Sequence, residues 1–218
     1  NAKPLRPTSR TERGCPGARY LEARGIDFAR LGRLPRAIHF SPRETWHGPD
    51  EQEHVGPALL SGMTLVDGTF ASLHRIWIDP EREGEKADLD PPRKMWPDSQ
   101  GAAIRLWRGF NHLSETDAIA RGVKMPLVIC EGVEDGLSIA MMTPEHRVHA
   151  AGSLPGLWSY DPPACASELI VAAARTMGGG LLRERGLVMA GGGCRGLVPY
   201  PAPEAGCAPQ LVVAWAVA

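Results

Sequence analysis

The sequence contains no apolar run long enough to cross a membrane. Its apolar C-terminal stretch, Leu211–Ala218, is far shorter than the roughly 20 residues that a membrane-spanning helix needs. No secretory signal is visible either, and the chain begins at Asn1 rather than at Met. We therefore expect a fragment or a processed product with no membrane partner.

Paired cysteines are also missing. The five cysteines are scattered, with no C-x-x-C pair and no histidine at zinc-finger spacing beside them. The pattern predicts no zinc site in this chain. An odd and scattered set of thiols suits a reducing compartment, so we expect a cytoplasmic protein.

The chain has no excess of charge of one sign and no motor motif. With 24 basic and 25 acidic residues, any contact with nucleic acid must come from a local patch. No Walker A pattern occurs, which excludes a helicase motor in this chain. Gly191–Gly196 fits G-x-G-x-x-G, but no acid follows about twenty residues later, and no βαβ unit frames it. We interpret that match as fortuitous.

The first half of the chain has the pattern of an antiparallel β subdomain. Residues 57–66 and 70–78 read as strands, and Asp67-Gly68 between them is a strong hairpin signal. A short helix ending at Gly25 precedes them, residues 34–50 look irregular, and residues 79–94 read as a charged loop.

The second half alternates strands with helices, which predicts an α/β fold with a doubly wound, mostly parallel sheet. Its predicted strands are residues 127–130, 147–151 and 169–173, and a helix is predicted from about 135 to 142. We predict four segments: a linker over 1–17, an α+β region over 18–122, an incomplete α/β core over 123–173, and an irregular Gly/Pro-rich tail over 174–218.

The segment most informative about chemistry follows the Leu127 strand. Glu131 stands at the end of that strand, Gly132 permits a tight turn, and Asp135 comes four residues after Glu131. Acids at the carboxyl end of a strand lie where α/β folds bind ligands, and two such carboxylates suit Mg²⁺. Acids are also common as helix caps or in first turns, so both interpretations stay open at this point.

The pattern Glu131-Gly132-x-x-Asp135 after an apolar strand resembles the first motif of the Toprim domain, shared by bacterial-type primases, topoisomerases and some nucleases. The segments before it resemble the region that precedes Toprim in primase-like proteins of phages, plasmids and other mobile elements. The resemblance covers about Tyr20 to Ala173. The preceding segments are Tyr20–Ile26, Pro57–Leu59, Leu73–Asp79, Lys86–Ala87 and Gly101–Leu106.

This resemblance implies Mg²⁺-dependent nucleotidyl transfer, such as RNA primer synthesis for DNA replication. Glu131 would be the catalytic residue, and Glu131 and Asp135 would bind the metal. Single-stranded DNA and nucleotides would be the partners, with a replicative helicase as a further one. The candidates for binding phosphates are five basic residues: Arg75, Lys86, Arg93, Lys94 and Arg105. An equally weighted alternative is that these residues only form a solvated, charged surface.

The sequence departs from the Toprim pattern at its second motif. An Asp-x-Asp should follow the strand at Leu169–Ala173, but Ala174-Arg175-Thr176 stands there. A frameshift near Ala174 would explain the loss, because a shifted frame through Arg175–Gly178 can encode Asp-Asn-Gly. The alternatives are a diverged, inactive Toprim module that only binds nucleic acid, and an unrelated α/β enzyme acting on small molecules.

Overall fold

The computed structural model describes residues 15–33, 35–97, 100–172, 194–198 and 212–215. Five helices and ten strands occur in this part of the chain. In chain order they are α1 (Pro16–Ala23), α2 (Phe28–Leu31), β1 (Ile38–His47), β2 (Glu53–Thr64), β3 (Phe70–Trp77), β4 (Arg93–Trp96), β5 (Ile104–Arg108), α3 (Glu115–Ala120), β6 (Met125–Cys130), α4 (Val133–Met142), β7 (Arg147–Ala150), α5 (Leu154–Ser159), β8 (Ala166–Ala172), β9 (Cys194–Val198) and β10 (Val212–Trp215).

The first four strands form an antiparallel sheet in the order β1-β2-β3-β4. The hairpin predicted at Asp67-Gly68 is confirmed, since it joins β2 to β3. Gly68 has a φ of 86°, and the Asp67 carboxylate accepts a hydrogen bond from the Thr69 amide at 2.8 Å. Glycine adopts this left-handed conformation without the steric cost that a side chain would add.

The prediction of irregular structure over residues 34–50 is wrong, because β1 occupies most of that segment. The pairing of β1 with β2 shifts register between Ser41 and Glu44, around Pro42. Such a bulge interrupts the alternation of apolar and polar residues by which a strand is recognised. β4 likewise begins at Arg93, inside the segment expected to be a loop.

The second sheet has the strand order β5-β7-β6-β8-β10-β9. Only β6 makes parallel pairs among the described strands, one with β7 and one with β8, and the other pairings are antiparallel. The α/β class is confirmed, but the sheet is mixed and not mostly parallel. β5, which the sequence boundaries placed in the first region, pairs with β7 in this second sheet.

The parallel strands are covered by helices on both faces. α4 packs through Val133 and Leu137 into the core that contains Val128 and Cys130. α5 lies on the other face, where Leu157 packs against Leu127 and Ile129. The connections β6–α4–β7 and β7–α5–β8 run in opposite directions along the sheet. Two right-handed crossovers in opposite directions must lie on opposite faces, as observed.

The two sheets share one core. Leu59 and Ile76 of the first sheet belong to the same apolar cluster as Val128 and Leu137 of the second, together with Tyr20 of α1. Burial of this cluster places the segment from Asp79 to β4 beside the turn that follows β6. This packing places basic side chains next to the turn, as the contacts below show.

The frameshift hypothesis at Ala174 lies outside the described residues, as does most of the predicted tail over 174–218. The described parts of that tail, β9 and β10, extend the second sheet beyond β8. Most of the predicted linker over 1–17 is also outside the described residues, and α1 begins within its last positions, at Pro16. Across the described ranges, none of the helices combines the length and apolarity needed to span a bilayer.

Candidate functional site

Glu131 lies at the carboxyl end of β6, where the chain changes direction across the sheet. The order β7-β6-β8 means that the crossover after β6 runs one way, and the crossover that ends in β8 runs the other way. In open α/β sheets, ligands bind outside the carboxyl ends of the strands at such a switch point. The position of Glu131 is therefore a favoured ligand position in this topology.

The turn after Glu131 is made by Gly132, which is the N-cap of α4 and has no side chain to cap the helix. A Cβ at position 132 would stand 3.1 Å from Asp135 Oδ2 and 3.7 Å from Glu134 Oε2. Glycine thus leaves open a space bordered by two carboxylates. Glu131 precedes the cap and Asp135 lies in the first turn, so the helix-cap interpretation does not apply to Glu131, and the first-turn interpretation does apply to Asp135.

Glu134, which the sequence analysis did not select, has the most partners of the acids in this turn. Its Oε1 atom accepts a hydrogen bond from the Tyr20 hydroxyl at 2.7 Å and pairs with Lys86 Nζ at 3.2 Å. Burial alone would raise the pKa of Glu134, but the Lys86 ammonium and the Tyr20 hydroxyl outweigh it and lower that pKa. Glu134 therefore connects α4 to α1 and to the loop that carries Lys86.

Asp135 has a different environment. No hydrogen bond or ion pair engages its side chain within the described residues. Burial, followed by the charges of Glu134 and Glu131, raises the pKa of Asp135. Negative charge is therefore in local excess around this carboxylate, and a bound cation would relieve it.

These residues fit a magnesium ion in donor chemistry. Mg²⁺ is commonly held by one or two carboxylates together with waters and substrate phosphates. Glu131 and Asp135 would supply the carboxylates, beside the space that Gly132 leaves open. Within the described ranges, no group of three or more His, Cys, Asp or Glu side chains is arranged to hold a metal ion.

Arg93 and Lys86 are the two predicted phosphate-binding residues that the fold brings to this turn. Arg93 extends from β4, and its Nη2 atom pairs with Glu131 Oε1 at 2.9 Å, with 46 % of its side chain exposed. Lys86 pairs with Glu134 and is more buried. Both cations thus neutralise acids of the turn, and Arg93 retains the greater access to solvent.

Arg75 and Lys94 lie side by side at paired positions of β3 and β4, one residue from Arg93 along the strand. Successive strand residues point to opposite faces, so these two side chains leave the sheet on the face opposite to Arg93. Arg75 pairs with Glu44 at 3.5 Å, and its guanidinium lies over the Trp77 ring. Lys94 donates to the His47 carbonyl and lies 4.4 Å from the centre of the Trp46 ring.

Arg105 is also away from the Glu131 turn and is held by the protein itself. Its guanidinium donates to the carbonyl oxygens of Thr64 and Leu65 and pairs with Glu115. Glu115 in turn contacts His149 Nε2 at 3.0 Å. Burial alone would raise the pKa of Glu115, but His149 and Arg105 outweigh it and lower that pKa to about 2. These contacts are typical of a buried polar network that stabilises the fold.

His74 is a second buried group near the turn that sequence reasoning missed. It lies on β3 opposite Met95 of β4, and its Nδ1 atom has no hydrogen-bond partner within the described residues. Burial lowers the pKa of His74 to about 4, against the opposing charge of Glu134. The imidazole is therefore neutral at physiological pH. Its position in an alternating strand gave no signal that could distinguish it from an ordinary core residue.

Residues 1–106 match the model of a domain of unknown function, DUF7146. That range includes the five predicted phosphate-binding residues and ends before Glu131 and Asp135. No curated protein sequence matches the chain.

Proposed function

We propose that this protein is a Toprim-type module of the primase-like kind, which carries out Mg²⁺-dependent nucleotidyl transfer in DNA replication of a mobile element. The observation that supports the proposal is the unpaired Asp135 carboxylate beside Glu131 at the switch point of the sheet. Single-stranded DNA would be the template and nucleotides the substrate, with a replicative helicase as a further partner in the cell.

Glu131 and Asp135 would hold the metal ion in this proposal. The ion would supply neutralisation of charge on the transferring phosphoryl group, the main requirement of such chemistry. Arg93 is exposed and already contacts Glu131, so a phosphate arriving at the turn would find a guanidinium within reach. Lys86, which forms an ion pair with Glu134, adds a second positive charge beside the turn.

The test is primer synthesis on a single-stranded DNA template in the presence and absence of Mg²⁺. Glu131→Gln keeps the size of the side chain and removes its charge, and we expect it to abolish Mg²⁺-dependent product. Glu22→Gln is the matched control, because Glu22 is exposed on α1 and should leave activity unchanged. Activity in Glu131→Gln equal to that of the native chain would refute the assigned role of Glu131.

A second function, binding of nucleic acid without catalysis, is favoured by two observations. Arg93 occupies one oxygen of Glu131, and Ala174-Arg175-Thr176 provides no acids where the Toprim pattern has Asp-x-Asp. This alternative predicts no primer synthesis with retained binding of a single-stranded oligonucleotide. Binding that weakens as salt concentration rises would support it, because phosphate contacts release counterions. Absence of binding at low salt would contradict both functions.

A further inference from the structure

A cleft of about 240 Å³ opens on the β7 side of the Glu131 turn. Ala151 and Ser153, which follow β7, form one side of it, Trp158 of α5 another, and Met95 of β4 a third. Gly152, between Ala151 and Ser153, donates its amide hydrogen to the Glu131 carbonyl at 2.8 Å. The cleft and the candidate site therefore share one backbone segment.

The Gly152 backbone lies tightly against β4. Gly152 has a φ of 79°, and a Cβ there would stand 2.7 Å from Met95 Sδ. Met95 is two residues from Arg93 on the same strand, so both side chains leave β4 on one face, about 7 Å apart along the strand. Arg93, whose guanidinium contacts Glu131, therefore leaves β4 on the same face as Met95, which borders the cleft.

The chemistry of the lining differs from that of the turn. None of the described residues that border the cleft is charged, whereas the turn carries three acids and two cations. Trp158 is 42 % exposed although its ring is apolar, and it lies on the edge of the cleft. An uncharged and planar group is the ligand part that suits such a lining.

The volume limits the size of that group. Sites for whole drug-sized ligands measure roughly 300–1,000 Å³, and the cleft is smaller than this range. It has room for one ring system and not for a complete nucleotide. The charged part of a nucleotide would then lie outside the cleft, in the direction of Arg93.

From these observations we infer that the cleft is a subsite for the base of a nucleotide, with Trp158 as the stacking platform and the phosphates directed toward Arg93 and Glu131. The direction of the phosphates depends on the proposed function. Occupation of the cleft by a base does not, because it follows from the neutral lining, the exposed ring and the volume.

The experiment uses adenosine, which carries the base and no phosphate, with the full chain and without Mg²⁺. Two readouts are made: the affinity from isothermal titration calorimetry, which needs no tryptophan signal, and the NMR shift of the Met95 methyl group in the native chain. We expect saturable binding and a shift of the Met95 resonance. Trp158→Ala should weaken binding about ten-fold or more through loss of one base–aromatic stack, and Trp158→Phe should retain most of it.

Phe110→Ala is the control, since Phe110 is 65 % exposed and follows the end of β5 that pairs with Arg147 at the start of β7, whereas the cleft lies beyond the other end of β7. No shift of Met95, or equal adenosine affinity in Trp158→Ala and the native chain, would overturn the inference. Trp158-dependent adenosine binding together with no Mg²⁺-dependent primer synthesis would support the subsite and contradict the proposed catalysis. Primer synthesis that is insensitive to Trp158→Ala, with no adenosine binding, would contradict the subsite and support the proposed catalysis.

Discussion

Replacement of Glu134 by Gln tests whether the acid that sequence reasoning missed holds the two halves of the site together. Glu134 lies on α4 in the second half of the chain and contacts Tyr20 and Lys86 in the first half. Gln has nearly the same shape, so the variant removes the negative charge and leaves the packing. We expect a clear loss of stability.

The size of the loss follows from the burial of the partners. Removing one member of a fully buried ion pair costs about 3–5 kcal/mol, and a hydrogen bond to a charged group contributes about 1.5–3 kcal/mol. The side chains of Glu134 and Lys86 are 15 % and 26 % exposed, so solvent screens part of the penalty. We therefore expect a loss of about 2–3 kcal/mol, which for a chain of this size lowers Tm by roughly 4–12 °C.

Urea unfolding and thermal melting of Glu134→Gln measure this loss, with Glu22→Gln as the control for the same chemical change at an exposed position. A double-mutant cycle with Tyr20→Phe measures how much of the hydrogen bond depends on the charge of Glu134, because the Oε1 atom of glutamine can still accept from the Tyr20 hydroxyl. The reasoning is refuted if Glu134→Gln loses less than about 0.5 kcal/mol, the range of an ordinary surface substitution.

Three further predictions concern stability. Gly136→Ala gains about 1 kcal/mol in helix propensity, but its Cβ would overlap Leu106 and stand 3.0 Å from Cys130 Sγ, at a cost of about 1–3 kcal/mol; we expect a net loss of up to about 2 kcal/mol in urea unfolding, and a gain would contradict it. Asp135→Asn removes a buried carboxylate that Glu134 and Glu131 repel and whose pKa is raised, so without Mg²⁺ it should increase the free energy of unfolding by about 0.5–2 kcal/mol, and an unchanged free energy of unfolding would contradict this. The pKa of Glu115 is lowered from its ordinary value near 4.5 to about 2 in the folded chain, so between these two pH values the unfolded chain binds a proton that the folded chain does not. The free energy of unfolding should therefore decrease as pH falls through that window. In Glu115→Gln this free energy should decrease less steeply.

Short sequence patterns correctly predicted those elements whose structure depends mainly on neighbouring residues in the chain. Asp67-Gly68 identified the hairpin, and the apolar run before Glu131 identified β6, because turn chemistry and strand burial depend on neighbouring residues. β1 was missed because its bulge breaks the alternation. The contact of Tyr20 with Glu134 joins residues 114 positions apart, and only packing of α1 against the shared core brings them together.

The phosphate-binding predictions show the same limit. Lys94 and Arg93 are adjacent in sequence, yet the pleat of β4 sends Arg93 toward Glu131 and Lys94 toward Trp46. Which basic residue reaches the site depends on the face of β4 from which its side chain leaves. The sequence analysis did not identify β4 as a strand, so it could not make this distinction. The assignment of all five as phosphate-binding residues stays a prediction.

The pairing of β5 with β7 has a consequence for dividing this protein. The DUF7146 match ends at residue 106, inside β5, so a fragment cut there would carry part of a strand whose hydrogen-bonding partner lies in the other fragment. The second fragment would expose the edge of β7, and such an edge invites aggregation. A boundary between β4 and β5 would keep the whole ladder in one piece, so it is the better choice for split-protein complementation.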